Sequence, residues 1–183
     1  LEKAGVTRAI LALGFKPHPF IDAFPGNQCG GVHLDYAVEP EPLDTGGAIA
    51  FAARFAGISQ TFIVVNGDVL TSLDVSTLVA FHQKSAAEGT LHLTPVEDPS
   101  QFGVVETAAD GQVTRFVEKP APGETTSFNV NAGTYVLEPS VIERIAVNKK
   151  TSIERIVFPA MVTEGTLFAM PTNDSWVDTG RPE

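Results

Sequence analysis

The sequence predicts an α/β fold: a mainly parallel central sheet flanked by helices, with a small antiparallel addition. Three observations carry that expectation. Strand-like and helix-like patterns alternate up to about residue 97, as chains built from βαβ units do. The strand-like runs before that point are short and apolar, Thr61-Phe62-Ile63-Val64-Val65 most clearly, which is the signature of strands buried on both faces. Beyond it the strands come with Asp110-Gly111, a hairpin turn signal.

The elements follow in order. Val6 to Leu13 is a near-continuous apolar strand, Pro17 to Phe24 a short helix, and Val32 to Val38 an alternating strand. Asp44-Thr45-Gly46-Gly47 opens an apolar helix that runs to about Ala56. Thr61 to Val65 is a buried parallel strand ending abruptly at Asn66-Gly67-Asp68. Asp74 caps a helix that Gly89 closes, because an aspartate satisfies the first amides and glycine accepts the left-handed exit. Thr90 to Val96 is a strand, and Val104 to Glu106 and Gln112 to Val117 flank the hairpin turn. Ala121 to Ser127 is a surface loop, Asn131 to Leu137 a strand and Glu138 to Ala146 a short helix. Thr151-Ser152-Ile153-Glu154 matches a capping box, opening a segment to Met161 that Pro159 kinks or ends.

Composition narrows the function classes. The chain has 183 residues, 43% hydrophobic and 19% charged, which is one globular domain. Twelve Lys and Arg against 22 Asp and Glu leave a net charge of −10. A nucleic-acid or anionic-membrane surface needs clustered positive charge and is disfavoured. No apolar run approaches the length of a membrane-spanning helix. The single cysteine, Cys29, allows neither an internal disulfide nor a cysteine-based metal site, so a reducing cytoplasm is the expected compartment. The opening Leu1-Glu2-Lys3-Ala4-Gly5 reads as the end of a helix and the final residues stop without one. The expectation is an internal piece of a longer protein.

Several residues are placed for chemistry, each with a plainer alternative. Asp68 lies at the carboxyl end of a parallel strand, where ligands collect and a carboxylate is a hard ligand for Mg²⁺; Asn-Gly-Asp is also ordinary turn chemistry. Trp176-Val177-Asp178-Thr179-Gly180 repeats the pattern, and two such carboxylates could hold metal between them. Glu118-Lys119-Pro120 ends a strand with a cation fit for a phosphate, or with a solvated ion pair. Thr45-Gly46-Gly47 exposes amides at a helix start, or simply softens it. Gly103 and Gly133 let a ligand approach the backbone, or sit in turns. His82 and His92 read as packing or surface residues, and the absence of Gly-x-Gly-x-x-Gly leaves a dinucleotide dehydrogenase unsupported.

Taken together, EPEPLDTGGAI, FIVVNGDVLTSLDVSTLVAFH, VEDPSQFGVVE, FVEKP, NVNAGTYVLEP, TSIERIVFP and WVDTGRPE resemble, in that order, the sugar-phosphate nucleotidyltransferases. The stretch from FVEKP to the AMP that ends at Pro171 is most similar to the guanylyltransferases that act on mannose 1-phosphate. The resemblance implies nucleotidyl transfer from an NTP to a sugar 1-phosphate, with Mg²⁺, giving NDP-sugar and pyrophosphate; GTP and mannose 1-phosphate are the narrower expectation. It implies metal ligation by Asp68 and Asp178 and a phosphate grip by Lys119. It further implies sugar contacts from Glu118 and Asn131, a sugar pocket lined by Gly103 and Gly133, a base and ribose side at Glu41, Thr45 and Gly46, and a substrate contact at Gly67. Nucleic acid and membrane are not implied partners, and a homo-oligomer is compatible with the family. Two departures stand out. The family's glycine-rich loop is not in this sequence, so the piece alone is expected to be inactive. Asp44 occupies a position where the family usually has glycine. The alternatives are a dTTP- or UTP-dependent glucose-1-phosphate enzyme and a non-catalytic regulator that binds a nucleotide sugar.

Overall fold

The computed structural model describes residues 2–180. The last three residues of WVDTGRPE and Leu1 lie outside the described residues. The strands and helices are β1 (Arg8–Leu13), α1 (His18–Ala23), β2 (Gln28–Cys29), β3 (Val32–Val38), α2 (Asp44–Ala56), β4 (Phe62–Val65), β5 (Val69–Thr71), α3 (Val75–Ser85), β6 (Gly89–Pro95), β7 (Gly103–Thr107), β8 (Val113–Glu118), β9 (Asn129–Leu137), α4 (Ser140–Glu143), α5 (Phe158–Glu164), β10 (Leu167–Pro171) and β11 (Trp176–Asp178). A π-helical turn, Ile153–Val157, leads into α5.

The α/β class is as expected, and the sheet is mixed. One sheet runs β1-β3-β2, a second runs β10-β6-β9-β7-β8 with β4 also paired to β9, and β5 and β11 form a ribbon. Among the described residues, only β1 with β3 and β10 with β6 pair parallel. The Thr61 to Val65 run forms its strand, but β4 pairs antiparallel with β9, Phe62 opposite Leu137. An apolar β-branched run reports burial on two faces; it carries no information on the direction of its neighbour. Among the described residues, the outer edges of β1 and β4 carry no strand.

β9 is the axis of the larger sheet. One of its edges pairs along β6 from Leu137 to Asn129. The other edge is shared, with β4 on Thr134 to Leu137 and β7 at Val130. Asn131 and Ala132 therefore sit in a fork between two neighbours, and the fork places the candidate site. Under α2, the π-helical turn and α5 lies the main core, which includes Leu91, Leu93, Tyr135, Ile153 and Phe158; Tyr135 and Phe158 meet edge to face at 5.3 Å. Burying each such side chain contributes roughly 1.5–3 kcal/mol. α3 covers the opposite face through Leu78, which packs with Leu73 and Val136.

Local endings differ from expectation in instructive ways. Asp74 caps α3 by accepting from the Ser76 amide at 3.0 Å, but the helix closes at Ala86, in the left-handed region at φ 48°. Gly89 instead opens β6, where a Cβ would lie 2.7 Å from Met161 Cε; packing, not helix exit, requires the glycine. In Thr151-Ser152-Ile153-Glu154 the cap is Ser152, whose Oγ accepts from the Arg155 amide at 3.2 Å. Pro159 sits at the start of α5, where a missing N–H needs no partner. Only Ser140–Glu143 of the Glu138 to Ala146 segment is helical. The loop 121–127 is pinned, with Ser127 Oγ donating to the Val105 carbonyl at 2.9 Å.

Candidate active site

The turn Asn66-Gly67-Asp68 takes the chain from β4 into β5, and β5 pairs with β11 so that Val69 lies opposite Asp178. Asp68 precedes Val69, so this register sets Asp68 beside Asp178 across 110 positions of sequence. Thr179 donates both its amide and its hydroxyl to the Asp68 carbonyl, at 2.7 and 2.8 Å. The Gly180 amide donates to Asp178 Oδ1 at 2.9 Å. A Cβ on Gly180 would stand 2.6 Å from Asp68 Oδ2 and 3.2 Å from Asp178 Oδ1. Two carboxylates thus converge on a spot kept clear of any side chain. The donor set suits a hard divalent cation that draws its remaining ligands from water and phosphate oxygens. Among the described residues no group of three or more His, Cys, Asp or Glu could hold a metal ion, so the protein would supply a pair and no closed cage.

The fork in β9 is filled from both sides. The Asn66 amide donates to the Gly133 carbonyl at 2.8 Å. Gly133 has φ 74°, and a Cβ there would lie 2.9 Å from Asn66 Nδ2, so only glycine fits. Trp176 Nε1 donates to the Ala132 carbonyl at 2.9 Å, and its ring meets Phe102 edge-on at 5.7 Å. Asn131 Nδ2 donates to the Tyr135 hydroxyl at 2.9 Å, while its Oδ1 accepts from the Gly133 amide at 3.1 Å.

Gly103 pairs with Glu118 across β7 and β8. A Cβ on Gly103 would meet Phe116 Cζ at 2.7 Å and Glu118 Oε2 at 2.9 Å, so this glycine makes room for the carboxylate. Burial raises the Glu118 carboxyl above its ordinary range and the charge of Glu154 raises it further, while Lys119 and Arg155 pull it back. Lys119 is exposed at the strand end, in the left-handed region at φ 52°, with its amide bonded to the Phe102 carbonyl at 2.9 Å.

At the start of α2 the Thr45 amide bonds Asp44 Oδ1 at 2.8 Å and the Gly47 amide bonds the Thr151 carbonyl at 3.0 Å, which is the plainer of the two readings of Thr45-Gly46-Gly47. The glycines are there for close backbone packing: a Cβ on Gly46 would lie 3.0 Å from the Thr151 carbonyl oxygen. Thr45 Oγ1 donates to Glu154 Oε2 at 2.6 Å and accepts from the Ile153 amide at 3.0 Å. Asp44 has φ 63°, so it holds the left-handed shape that glycine adopts most readily, which Asp and Asn tolerate. Glu41 and Gly67 are exposed.

The structure thus brings Asp68 to Asp178, Gly103 to Glu118, and Asn131 and Gly133 into one fork. Asn66, Trp176 and Glu154 were not singled out in the sequence. The signal that sequence offers for Trp176 is its place before Asp178, and Glu154 matches a capping box. His82 and His92 are buried packing residues. His82 bridges Thr90 Oγ1 at 2.8 Å and Glu138 Oε1 at 3.0 Å.

Comparisons with known proteins place the chain in a family. The family model described as "Nucleotidyl transferase" matches residues 1–183. The chain is 44% identical over 154 residues to the mannose-1-phosphate guanylyltransferase catalytic subunit beta of Drosophila pseudoobscura pseudoobscura, covering 84% of this chain and 41% of that protein. It is 38% identical over 187 residues to the mannose-1-phosphate guanyltransferase of Schizosaccharomyces pombe, covering 100% of this chain and 51% of that one. The crystal structure of HddC from Yersinia pseudotuberculosis, complexed with GMP-PN, superposes with a TM-score of 0.82 at 30% identity, over 99% of this chain and 76% of that one. The chain spans about half the length of the curated relatives it matches.

Proposed function

The chain belongs to the nucleotidyl transferase family, and on that footing we propose that it is the part of a mannose-1-phosphate guanylyltransferase that binds the sugar phosphate and the metal. The whole protein would join GTP and mannose 1-phosphate into GDP-mannose and release pyrophosphate. Residues 1–183 are read as a single nucleotidyltransferase domain, working in the cytoplasm. The observation that carries the reading is the convergence of Asp68 and Asp178 beside Gly180.

The reaction sets the requirement. A sugar phosphate carries about two negative charges and an NTP about four; each unit pair at about 4 Å costs roughly 4 kcal/mol at an effective dielectric of 20. A chain with net charge −10 gives no relief through its overall field, so local cations must supply it. Asp68 and Asp178 would hold Mg²⁺, which neutralises phosphate charge when bound. Lys119 would grip the sugar phosphate. Glu118 and Asn131 would take sugar hydroxyls, beside the backbone at Gly103 and Gly133, and Gly67 would contact substrate. Glu41, Thr45 and Gly46 would lie on the base and ribose side. Catalysis is then mostly positioning and charge neutralisation.

The test is pyrophosphate release by the full-length protein with Mg²⁺, over four NTPs and the 1-phosphates of mannose, glucose and N-acetylglucosamine. Signal confined to GTP and mannose 1-phosphate is the expected result. Signal with dTTP or UTP and glucose 1-phosphate overturns the substrate assignment, and silence in a folded protein that binds a nucleotide sugar overturns the enzyme reading.

A further inference from the structure

By register alone, the carboxylates of Asp68 and Asp178 would not meet. The ladder that sets Val69 opposite Asp178 sets Asp68 opposite Thr179, and neighbouring positions of a strand face opposite ways. Asp68 and Asp178 therefore leave the β5–β11 ribbon on opposite faces. One point nevertheless lies within reach of both: a Cβ on Gly180 would stand 2.6 Å from Asp68 Oδ2 and 3.2 Å from Asp178 Oδ1. The chain curls back directly after Asp178, and that curl is what brings the pair together.

The Gly180 amide starts the curl by donating to Asp178 Oδ1 at 2.9 Å, the side-chain turn that aspartate makes readily. Thr179 anchors it, with its amide at 2.7 Å and its hydroxyl at 2.8 Å from one acceptor, the Asp68 carbonyl. The amide bond is what the ladder draws from any residue except proline. The hydroxyl bond needs the Thr179 side chain. Two donors from one residue fix the direction of the Asp68 peptide as well as its distance, and so where the Asp68 side chain leaves the backbone. The other end of the ribbon is anchored separately: the Ser72 amide donates to the Ser175 carbonyl and the Ser175 amide to Ser72 Oγ, both at 3.0 Å. Thr179 and Gly180 are exposed, so water competes for the hydroxyl bond and its contribution to folding is small. Its contribution to geometry is not small, because two carboxylates at one spot repel each other until a cation joins them.

We propose that Thr179 is a positioning residue for the divalent cation: its hydroxyl holds Asp68 beside Asp178 before the metal arrives, and so sets the metal affinity without touching the metal. This rests on the guanylyltransferase reading above, which puts a metal there. The test compares the full-length protein with Thr179→Val, Thr179→Ser and Asp68→Asn. The probe is Mn²⁺, which takes the same oxygen ligands as Mg²⁺, with the free ion counted by electron paramagnetic resonance. Asp68→Asn removes a ligand and sets the floor. Thr179→Val should weaken Mn²⁺ binding about tenfold, the low end for an outer partner of a metal ligand, and Thr179→Ser should stay within about twofold of wild type. Both Thr179 variants should melt within about 2 °C of wild type. Hydrogen exchange at the Gly180 amide should quicken in Thr179→Val and not in Thr179→Ser, with no metal added. Unchanged Mn²⁺ affinity in Thr179→Val would overturn the proposal. So would a loss that Thr179→Ser shares in full, or one matched by a large fall in melting temperature. A wild-type protein that binds Mn²⁺ no better than Asp68→Asn overturns the metal reading instead, and the Gly180 exchange then still decides whether the hydroxyl holds the curl.

Discussion

Thr179 fixes Asp68 through the main chain: its amide and hydroxyl both donate to the Asp68 carbonyl, at 2.7 and 2.8 Å. The carboxylate itself is left out of the job of holding the turn. It points instead at the space beside Gly180 that Asp178 also borders.

Asp68→Asn and Asp178→Asn should each lower pyrophosphate release by the full-length protein by about 10²–10³-fold, the scale seen when one preorganised electrostatic group is lost. Asp68 is exposed, so its variant should melt within about 0.5 kcal/mol of wild type. Near-normal turnover in either variant would remove that residue from the metal site.

Lys119→Gln should raise KM for the sugar 1-phosphate by roughly 10–100-fold, as expected for one charged contact to a phosphate. KM for the NTP should change little. Initial rates with each substrate varied in turn separate the two effects.

Asp44 holds φ 63° with its own carboxylate accepting from the Thr45 amide at 2.8 Å. Asp44→Gly should be nearly neutral, because glycine adopts that backbone at no steric cost. Asp44→Ala should cost about 1 kcal/mol or more, since it meets the left-handed strain without a local hydrogen bond. Denaturant midpoints of the two variants give the comparison.

Arg144 joins α4 to the start of β6, with its Nε donating to Glu88 Oε1 at 2.9 Å, and also to the end of α5 through Glu164. Its guanidinium holds the Glu88 carboxyl below the ordinary value of 4.5. A depressed folded pKa means that this stabilisation is present above pH 4.5 and is lost as the pH falls through the lower folded value. Glu88→Gln should therefore cost about 1–3 kcal/mol at pH 7, and the gap to wild type should close in acid. Urea unfolding at a series of pH values checks the direction.

Much of this was legible before any coordinates. Helix α2, strands β6 to β9 and the pairing of an aspartate after β4 with a second near the end of the sequence all follow from pattern or resemblance. What could not be read is register and direction. Thr61 to Val65 looks the same beside a parallel or an antiparallel partner. β5 and β11 are three residues each, too short for a periodic signal to stand out. Glu154 fitted a local motif so well that its distant bond to Thr45 left no mark. The glycines divide similarly: Gly46, Gly103 and Gly133 each make room for other protein atoms, a reason invisible without the third dimension.

The β5–β11 ribbon has a consequence for observation. A two-stranded ribbon this short is marginal by itself, and such a unit opens more readily than the sheet it leans on. What docks it includes the indole of Trp176 on the Ala132 carbonyl, and Trp176 is the sole tryptophan in the chain. Asp178 ends the same strand. Tryptophan emission from this chain therefore reports the seating of the segment that carries Asp178. Quenching by iodide, followed as divalent cation is added, would time the assembly of the site with no label attached.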